Sequence, residues 1–170
     1  MQIHTGLRPG DLGYVIYLHG ALYAKEYNLD HTFEGEVAAK MGEFAKQFDS
    51  QKDFFAVAEE DGKIVGSIAI HGLGEGRALL RFFLLHPSAR GKGLGKKLFH
   101  DALDFCRDRQ FHTVNLWTIS ELTIAAHLYR QAGFRVVEEN TREFWGGLRT
   151  EQRYELKLSG RDSVPAPSQG

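Results

Sequence analysis

A short loop rich in glycine and basic residues carries the clearest chemical signal in the sequence. Residues 90–95 read Arg-Gly-Lys-Gly-Leu-Gly, after an apolar segment that ends at Leu85 and before a segment with helical spacing. Such a loop offers small residues, free backbone N–H groups and positive charge where a helix dipole points its positive end. The sequence therefore predicts that an anionic group binds at this loop.

Two common nucleotide-binding patterns do not fit the loop. The pattern G-x-G-x-x-G fails because Lys96 stands where a third glycine must follow Gly91 and Gly93. The pattern G-x-x-x-x-G-K-[ST] fails because Arg90 replaces its first glycine and Lys97 replaces its serine or threonine. The pattern that is present is R-x-x-G-x-G.

The segments before the loop predict two helices followed by part of a sheet. A short strand over residues 2–7 precedes one helix that begins near Asp11 and a second that runs from Thr32 to about Asp49. Asp61-Gly62 lies between two apolar segments and predicts a hairpin. Residues 79–85 are apolar on both faces apart from Arg81, which predicts a central strand covered on both sides.

The segments after the loop predict two more helices and three more strands. Apolar residues at helical spacing follow the loop as far as Cys106. The spacing Thr118-x-x-Glu121 resembles a capping box that opens a helix from Glu121 to about Gln131. Strands are predicted over residues 112–118, 134–137 and 152–158, with a turn at residues 145–147.

Composition limits the classes of function. The 170 residues suit one domain, predicted over residues 1–158, and the polar segment 159–170 is predicted to be a disordered tail. With 21 basic and 22 acidic residues, the chain gives no reason to expect direct binding to nucleic acid or to a membrane. We find no signal-peptide pattern and no disulfide pair, so we expect a cytoplasmic protein.

Other reactive residue types form no recognisable site. The eight histidines show no metal-ligand spacing, so we expect no metal. Cys106 lies on the apolar line of its helix, which indicates a core residue rather than a nucleophile. Trp117 and Trp145 fit either the lining of an acceptor pocket or ordinary packing.

The loop, with its flanking elements, resembles a known family. R-x-x-G-x-G directly after a strand and His86-Pro87, with Tyr129 shortly before Gly133-Phe134, looks like the signature of the Gcn5-related N-acetyltransferases, which bind acetyl-coenzyme A. The element order follows that family over residues 3–158. Within the family, residues 20–30 are similar to domains fused behind winged-helix regulators of the MarR type. The resemblance implies an α/β fold with a mixed, mostly antiparallel sheet flanked by about four helices.

The resemblance also implies where the coenzyme binds. The pantetheine is expected to pair like an extra strand beside the end of the central strand, next to a splay between that strand and the following one. The backbone N–H groups of the loop are expected to hold the pyrophosphate at the helix N-terminus. The implied coenzyme-binding residues are Phe83, Leu84, Leu85, Arg90, Gly91, Lys92, Gly93, Leu94, Gly95 and Lys96.

The resemblance implies that Tyr129 is the acid that protonates the departing thiolate. The base is open, because the polar residue of the central strand is Arg81, which cannot accept a proton. Glu26 and Glu75 are candidates, and so is an ordered water; Glu26 is the residue we assign as catalytic. Leu122 stands where the family often has an asparagine that contacts the coenzyme.

These observations predict an acyltransferase that moves acetyl from acetyl-coenzyme A to a primary amine of a small molecule or peptide. Direct attack in a ternary complex is expected, since no serine or cysteine stands in a nucleophile arrangement. The alternative is a non-catalytic coenzyme-binding sensor that acts through a protein partner. An exposed edge strand near the C-terminus would allow a homodimer.

Overall fold

The computed structural model describes residues 1–158, so the predicted tail at residues 159–170 lies outside the described part. These residues form four helices and seven strands, with a short 3-10 turn at Pro87–Ala89 before the third helix. The elements are β1 (Gln2–Thr5), α1 (Asp11–Tyr27), α2 (His31–Lys46), β2 (Phe54–Glu60), β3 (Lys63–Gly74), β4 (Arg77–Leu85), α3 (Leu94–Asp108), β5 (Thr113–Ile119), α4 (Thr123–Gln131), β6 (Arg135–Phe144) and β7 (Gly147–Lys157).

The strands form one sheet in the order β1-β2-β3-β4-β5-β7-β6, which places β4 in the middle. Only β4 and β5 are parallel; the other neighbouring pairs are antiparallel. A mixed, mostly antiparallel sheet with four helices is the predicted fold. The predicted hairpin at Asp61-Gly62 is confirmed as the turn between β2 and β3.

The helices cover both faces of the sheet. Side chains of α1 and α2 pack with Phe55 and Val57 of β2, whereas the side chains of α3 and α4 belong to a second core that contains Ala56 and Ala58. Because successive strand residues point to opposite faces, the two cores lie on opposite sides of the sheet. Within residues 1–158, no helix has both the length and the apolar character needed to cross a membrane.

A bulge interrupts β4 beside the centre of the sheet. Ser67 of β3 pairs with Leu84, but Ala69, two residues on, pairs with Arg81, so β4 contains one extra residue. Phe82 occupies this bulge with φ of 54°, an unusual conformation for a bulky residue. The buried hydroxyl of Ser67 donates a 2.7 Å hydrogen bond to the Phe82 carbonyl and so fixes the bulge.

β4 and β5 separate after a short paired segment. Their parallel pairing runs from Arg77 with Thr113 to Leu79 with Asn115, and no pair follows. The backbone of residues 80–85 therefore has no strand partner on the β5 side. This is the splay that the sequence resemblance predicts.

The predicted capping box at Thr118 is wrong. Thr118 lies inside β5, where it pairs with Gln152 of β7, and α4 begins only at Thr123. Leu122 occupies the N-cap position and makes no side-chain cap bond. Sheet pairing holds the threonine in an extended conformation, so its side chain cannot cap a helix that starts five residues later.

The last hairpin is longer than the sequence predicts. β6 and β7 also include residues 138–144 and 147–151, which lie beyond the predicted strands, and they turn at Trp145-Gly146, within the predicted turn. Most of β6 is exposed because it is the edge of the sheet, so apolar alternation is absent there. The edge strand is present, and its pairing in a homodimer stays a prediction.

Candidate active site

The loop before α3 presents unpaired backbone donors. Gly93 is the N-cap of α3, has φ of 82° and makes no side-chain cap bond. The first backbone bond into the helix runs from Lys97 N to the Gly93 carbonyl, at 3.1 Å. The N–H groups of residues 94–96 therefore lack intrahelical acceptors and lie at the positive end of the helix dipole.

The backbone of the loop is open on its outer side. A Cβ atom built on Gly91 or Gly93 would meet no heavy atom within 4 Å, so the backbone there is open to close approach. A Cβ on Gly95 would lie 2.8 Å from Leu85 Cδ1, which shows how closely the start of α3 packs on the end of β4. The loop thus stands open beside the unpaired edge of β4.

Arg90 of the loop contacts protein rather than open space. Its two terminal nitrogens donate to the two carboxylate oxygens of Glu26, each at 2.7 Å, and Nη2 also donates to the Leu85 carbonyl at 3.0 Å. The Glu26 carboxylate raises the pKa of Arg90 through these hydrogen bonds. The ion pair joins the C-terminal end of α1 to the loop.

The two carboxylates proposed as the base do not reach the cavity that lies where β4 and β5 separate. Glu26 is absent from the residues that line it, and both of its oxygens are occupied by Arg90. Glu75 lies in the turn between β3 and β4, with its side chain 88% exposed, at the end of β4 opposite Leu85. Neither residue is placed where it could deprotonate an amine in the cavity.

A cavity of about 300 Å³ lies where β4 and β5 separate. Residues from β4, β5 and all helices except α3 line it, together with the turn between β6 and β7 and one residue of β7. The lining residues are His19, Tyr23, Leu29, Phe33, Glu36, Val37, Lys40, residues 79–83, residues 116–119, Leu122, Ala125, Tyr129, Trp145 and Glu151.

Tyr129 lies in this cavity lining and in the core between the sheet, α3 and α4. Only 5% of it is exposed, and its ring contacts those of Phe83, Phe99 and Tyr154. Burial raises the pKa of the Tyr129 phenol above its usual range. The hydroxyl makes no hydrogen bond with any residue of the described chain, and the group stays protonated and able to donate.

His19 is a cavity residue that the sequence reasoning did not select. It is 4% exposed, and its Nδ1 lies 2.8 Å from the Val15 carbonyl, which can only accept a hydrogen bond. The proton is therefore on Nδ1, and Nε2 carries the free lone pair. Burial lowers the pKa of His19 to about 4, so the ring is neutral at neutral pH.

The free nitrogen of His19 reaches accessible space. Within residues 1–158, Nε2 makes no hydrogen bond, and it is not among the side-chain atoms that are both fully buried and unpaired. The ring itself packs against Tyr23, Phe33 and Phe82. No motif marks this histidine; its position on the buried face of α1 is the only sequence signal.

Aromatic side chains form the wall of the cavity opposite β4. Tyr23 stacks on Phe33 with ring centroids 5.0 Å apart, and Phe33 meets Trp145 edge to face at 4.9 Å. Trp145 Nε1 donates to Glu36 at 2.7 Å, which fixes the indole in place. Both tryptophans line the cavity, and Trp117 is the more exposed of the two, at 46%.

Arg149 holds that wall against the end of α1. It is 8% exposed and donates to the carbonyls of Tyr27 and Asn28 and to Glu121, the last at 2.9 Å. A buried guanidinium with this many partners fixes the turn that carries Trp145. No sequence motif marks Arg149, because its partners at the end of α1 and before α4 are more than 25 residues away in the chain; it also donates to the nearby carbonyls of Phe144 and Trp145.

Cys106 is a core residue, as its position on the helix predicts. It is fully buried in α3, and burial raises the pKa of its thiol to about 12. A thiol with that pKa is almost never ionised at neutral pH, so it is not a nucleophile. No group of three or more potential metal ligands occurs within residues 1–158.

The sequence model of the acetyltransferase (GNAT) family matches residues 22–134. That match includes α2, the central strand, the glycine-rich loop and Tyr129. The chain belongs to the acetyltransferase (GNAT) family. The seven-stranded sheet with its splay at β4 and β5 is thus the GNAT fold.

Individual relatives agree with the family. Mycothiol acetyltransferase of Cellulomonas flavigena is 37% identical over 90 residues, which are 47% of this chain and 26% of that enzyme. The chain therefore spans about a quarter of the length of this relative. The similarity shows the shared domain and does not extend to the rest of the mycothiol enzyme.

Solved GNAT structures share the fold over nearly the whole chain. An acetyltransferase from Streptococcus agalactiae has a TM-score of 0.74 and 24% identity, covering 92% of this chain and 98% of that one. A putative acetyltransferase from Salmonella typhimurium, solved with its cofactor acetyl-CoA, has a TM-score of 0.68 and 17% identity, with 100% of both chains covered. At these identities the likeness shows the fold alone.

Proposed function

We propose that the protein transfers an acetyl group from acetyl-coenzyme A to a primary amine of a small molecule or peptide. The observation that carries this proposal is the continuity of three features. The unpaired donors at residues 94–96, the unpaired edge of β4 and the cavity with Tyr129 follow one another along the splay. A coenzyme bound along this line would supply a thioester, an activated acetyl group, at the cavity.

The chain's own residues suit each part of the coenzyme. The backbone N–H groups of Gly91–Lys96 hold the pyrophosphate, helped by the positive charge of Lys92 and Lys96. The segment Phe83, Leu84 and Leu85 has no β5 partner, and its backbone groups that face that side pair with the pantetheine amides, apart from the Leu85 carbonyl, which accepts from Arg90. The Salmonella structure solved with acetyl-CoA, which has the same fold, supports acetyl-coenzyme A as the co-substrate.

Tyr129 acts as the general acid in this proposal. Its hydroxyl carries a proton at all ordinary pH values, because burial raises the pKa of the phenol. It lines the same cavity as Phe82 and Phe83, the residues at which the coenzyme's thiol end arrives. Proton donation to the departing thiolate is thus the step that Tyr129 performs.

His19 receives the proton of the amine. Nε2 is a neutral acceptor in the aromatic part of the cavity, where it can hydrogen-bond the N–H group of an uncharged amine. Because burial lowers the pKa of His19 to about 4, the ring is neutral and Nε2 is free to accept, and it takes the proton only as C–N bond formation makes the amine nitrogen strongly acidic. This role replaces the one assigned to Glu26, whose carboxylate is held by Arg90.

Attack is direct, without an acylated enzyme. Cys106 is buried in the core away from the cavity lining, and its raised pKa keeps it a thiol. No other cysteine exists in the chain. The acetyl group therefore passes from the coenzyme to the amine while both occupy the splay.

A coenzyme-binding sensor is the second candidate function. Leu122, a residue of the cavity lining, occupies the N-cap position of α4 where a polar residue could contact the coenzyme. In addition, no carboxylate of β4 enters the cavity. Such a protein would bind the coenzyme and signal through a partner without turnover.

An amine panel distinguishes the two functions. Purified protein is mixed with acetyl-coenzyme A and alkyl amines, polyamines, amino acids or peptides, and free thiol and acetylated product are followed together. The enzyme proposal expects amine-dependent thiol release with a matching acetylated product. Tight coenzyme binding with no turnover on any amine would contradict it and favour the sensor.

A further inference from the structure

Arg81 is a guanidinium in the cavity without a bonding partner. It precedes the bulge of β4, is partly buried and lines the cavity. Within residues 1–158, no carboxylate lies within ion-pair distance of Arg81, and its guanidinium donates no hydrogen bond. Burial lowers the pKa of Arg81, and the negative charge of Glu43 opposes this effect without forming an ion pair. The guanidinium of Arg81 lies over the ring of Phe82, whose centroid is 5.0 Å from Cζ.

The other charged groups of the cavity are already paired. Glu36 accepts 2.7 Å hydrogen bonds from Lys40 and from Trp145. Glu151 forms an ion pair with Arg142, with 3.8 Å between Oε1 and Nη2. His19 is neutral because burial lowers the pKa of its ring to about 4. Within residues 1–158, Arg81 is therefore the charged side chain of the cavity lining that has neither an ion pair nor a hydrogen bond, and it lies on the strand that ends at the glycine-rich loop.

An unpaired, partly buried guanidinium is costly unless an anion meets it. Arginine remains charged under all ordinary conditions, and its planar fork matches a carboxylate with two parallel hydrogen bonds. Lysine would offer only a point charge at the same place. The site thus has the form of a receptor for a planar anion.

We propose that Arg81 binds a carboxylate of the acceptor, so that the acceptor is an amine that also carries a carboxylate, such as an amino acid. This inference rests on the proposed acetyl transfer. In such a complex the carboxylate meets Arg81, the amine lies toward His19, and the side chain of the acceptor contacts Tyr23, Phe33 and Trp145.

The coenzyme does not explain Arg81. Its phosphates are expected at the loop after Leu85, whereas Arg81 lies before the bulge and next to the end that carries the acetyl group. The anion that reaches Arg81 therefore belongs to the second substrate. A polyamine, which has only positive charge, would be repelled there.

The test uses three variants and matched probes. Arg81→Gln removes the charge, Arg81→Lys keeps it without the fork, and Arg77→Gln removes an exposed arginine from the same strand as the control. The probes are L-phenylalanine, L-leucine and L-glutamate, the α-carboxamide of each, and the decarboxylated amine of each. Binding to the protein saturated with coenzyme A is measured by calorimetry, and thiol release is measured with acetyl-coenzyme A.

At least one amino acid is expected to bind the wild type on the order of tenfold more tightly than its carboxamide and amine. Arg81→Gln should abolish that preference, Arg81→Lys should restore it only in part, and Arg77→Gln should keep it. Coenzyme affinity should stay constant in all variants. Equal binding of acids and carboxamides to the wild type, or an equal loss for both in Arg81→Gln, would overturn the inference.

The two measurements separate this inference from the proposed function. Carboxylate binding that depends on Arg81, without thiol release on any amine, would support the receptor role of Arg81 and contradict acetyl transfer. Thiol release at equal rates with amino acids and with their carboxamides or decarboxylated amines would support acetyl transfer and contradict the role of Arg81.

Discussion

The carboxylate of Glu26 accepts two hydrogen bonds from the guanidinium of Arg90, both 2.7 Å long. The two residues are 64 positions apart in the chain, at the end of α1 and in the loop before α3. Because Arg90 also bonds the carbonyl of Leu85, the pair connects the loop to the end of β4. Glu26 thus holds Arg90 of the glycine-rich loop in place, and in the proposed function it positions this loop for the coenzyme.

Replacing Glu26 with glutamine should weaken coenzyme binding and spare the chemical step. We expect the KM for acetyl-coenzyme A to rise about fivefold, since a pair this exposed contributes on the order of 1 kcal/mol. The kcat should change little. Asp104→Asn, which breaks the exposed pair with Arg107, serves as the control and should leave both values intact. A collapse of kcat at constant KM would restore Glu26 as the base.

Gly93 and Gly10 form a matched pair for testing the loop. Both are helix N-caps with positive φ, 82° and 93°, and a Cβ on either meets nothing within 4 Å. Glutamate at either position should cost similar stability, about 1 kcal/mol of backbone strain. Only Gly93→Glu should weaken coenzyme binding, on the order of 100-fold, because its carboxylate would face the pyrophosphate.

Calorimetric titration of both variants with acetyl-coenzyme A gives the comparison, and urea unfolding gives their stabilities. Equal coenzyme affinity in the two variants would place the pyrophosphate elsewhere.

Tyr129→Phe should lower kcat about 100-fold while leaving coenzyme affinity and stability nearly unchanged. The hydroxyl makes no hydrogen bond within the described chain, so its loss removes the acid without disturbing the packing. Tyr154→Phe is the control: its hydroxyl is fully buried without a partner, and its ring lies 5.6 Å from that of Tyr129. Removing that unpaired group should keep kcat and raise stability by up to about 1 kcal/mol.

Steady-state kinetics and thermal unfolding of both tyrosine variants are the measurements. If Tyr129→Phe kept full activity, or lost coenzyme affinity as much as turnover, Tyr129 would have a packing role only.

His19 should make the protein less stable as the pH falls. Its pKa is about 4 in the folded protein and 6.5 as a free side chain, so the unfolded chain binds more protons between these values. The contribution of His19 to the free energy of unfolding is therefore complete above about pH 7 and declines as the pH drops through 6.5. At pH 5 the loss is about 2 kcal/mol. Urea unfolding of the wild type and His19→Gln at both pH values measures this difference.

The glutamine variant should lose about 2 kcal/mol less than the wild type on this change of pH. An identical decline in the two proteins would mean that other groups cause it and that the His19 pKa is not depressed.

Local signals predicted the central part of this fold. The turn at Asp61-Gly62, the apolar strand β4 and the glycine-rich loop each depend on a few neighbouring residues, so the sequence pattern suffices. β6 was missed in part because an edge strand needs no apolar alternation. The capping box at Thr118 failed because pairing with β7, a contact between distant segments, decides the conformation there.

In the candidate site, too, local motifs identified some residues, whereas others depend on contacts between distant segments. Tyr129 and the loop residues were found from motifs, whereas His19 became visible only when α1, α2 and β4 were seen to enclose it. The sequence showed Arg81 where a carboxylate was expected. That it has no ion-pair or hydrogen-bond partner within residues 1–158 could be seen only from the side chains that surround it. Glu26 was selected by its neighbours in sequence, and its true partner lies 64 residues away.

In the proposed function, the loop at residues 90–96 binds the pyrophosphate of acetyl-coenzyme A. Calorimetric titration of the purified wild-type protein with acetyl-coenzyme A and then free coenzyme A tests it most directly. We predict saturable binding of both compounds, with micromolar affinity, at one site per chain. Absence of binding would mean that the loop is only structural and would contradict the account.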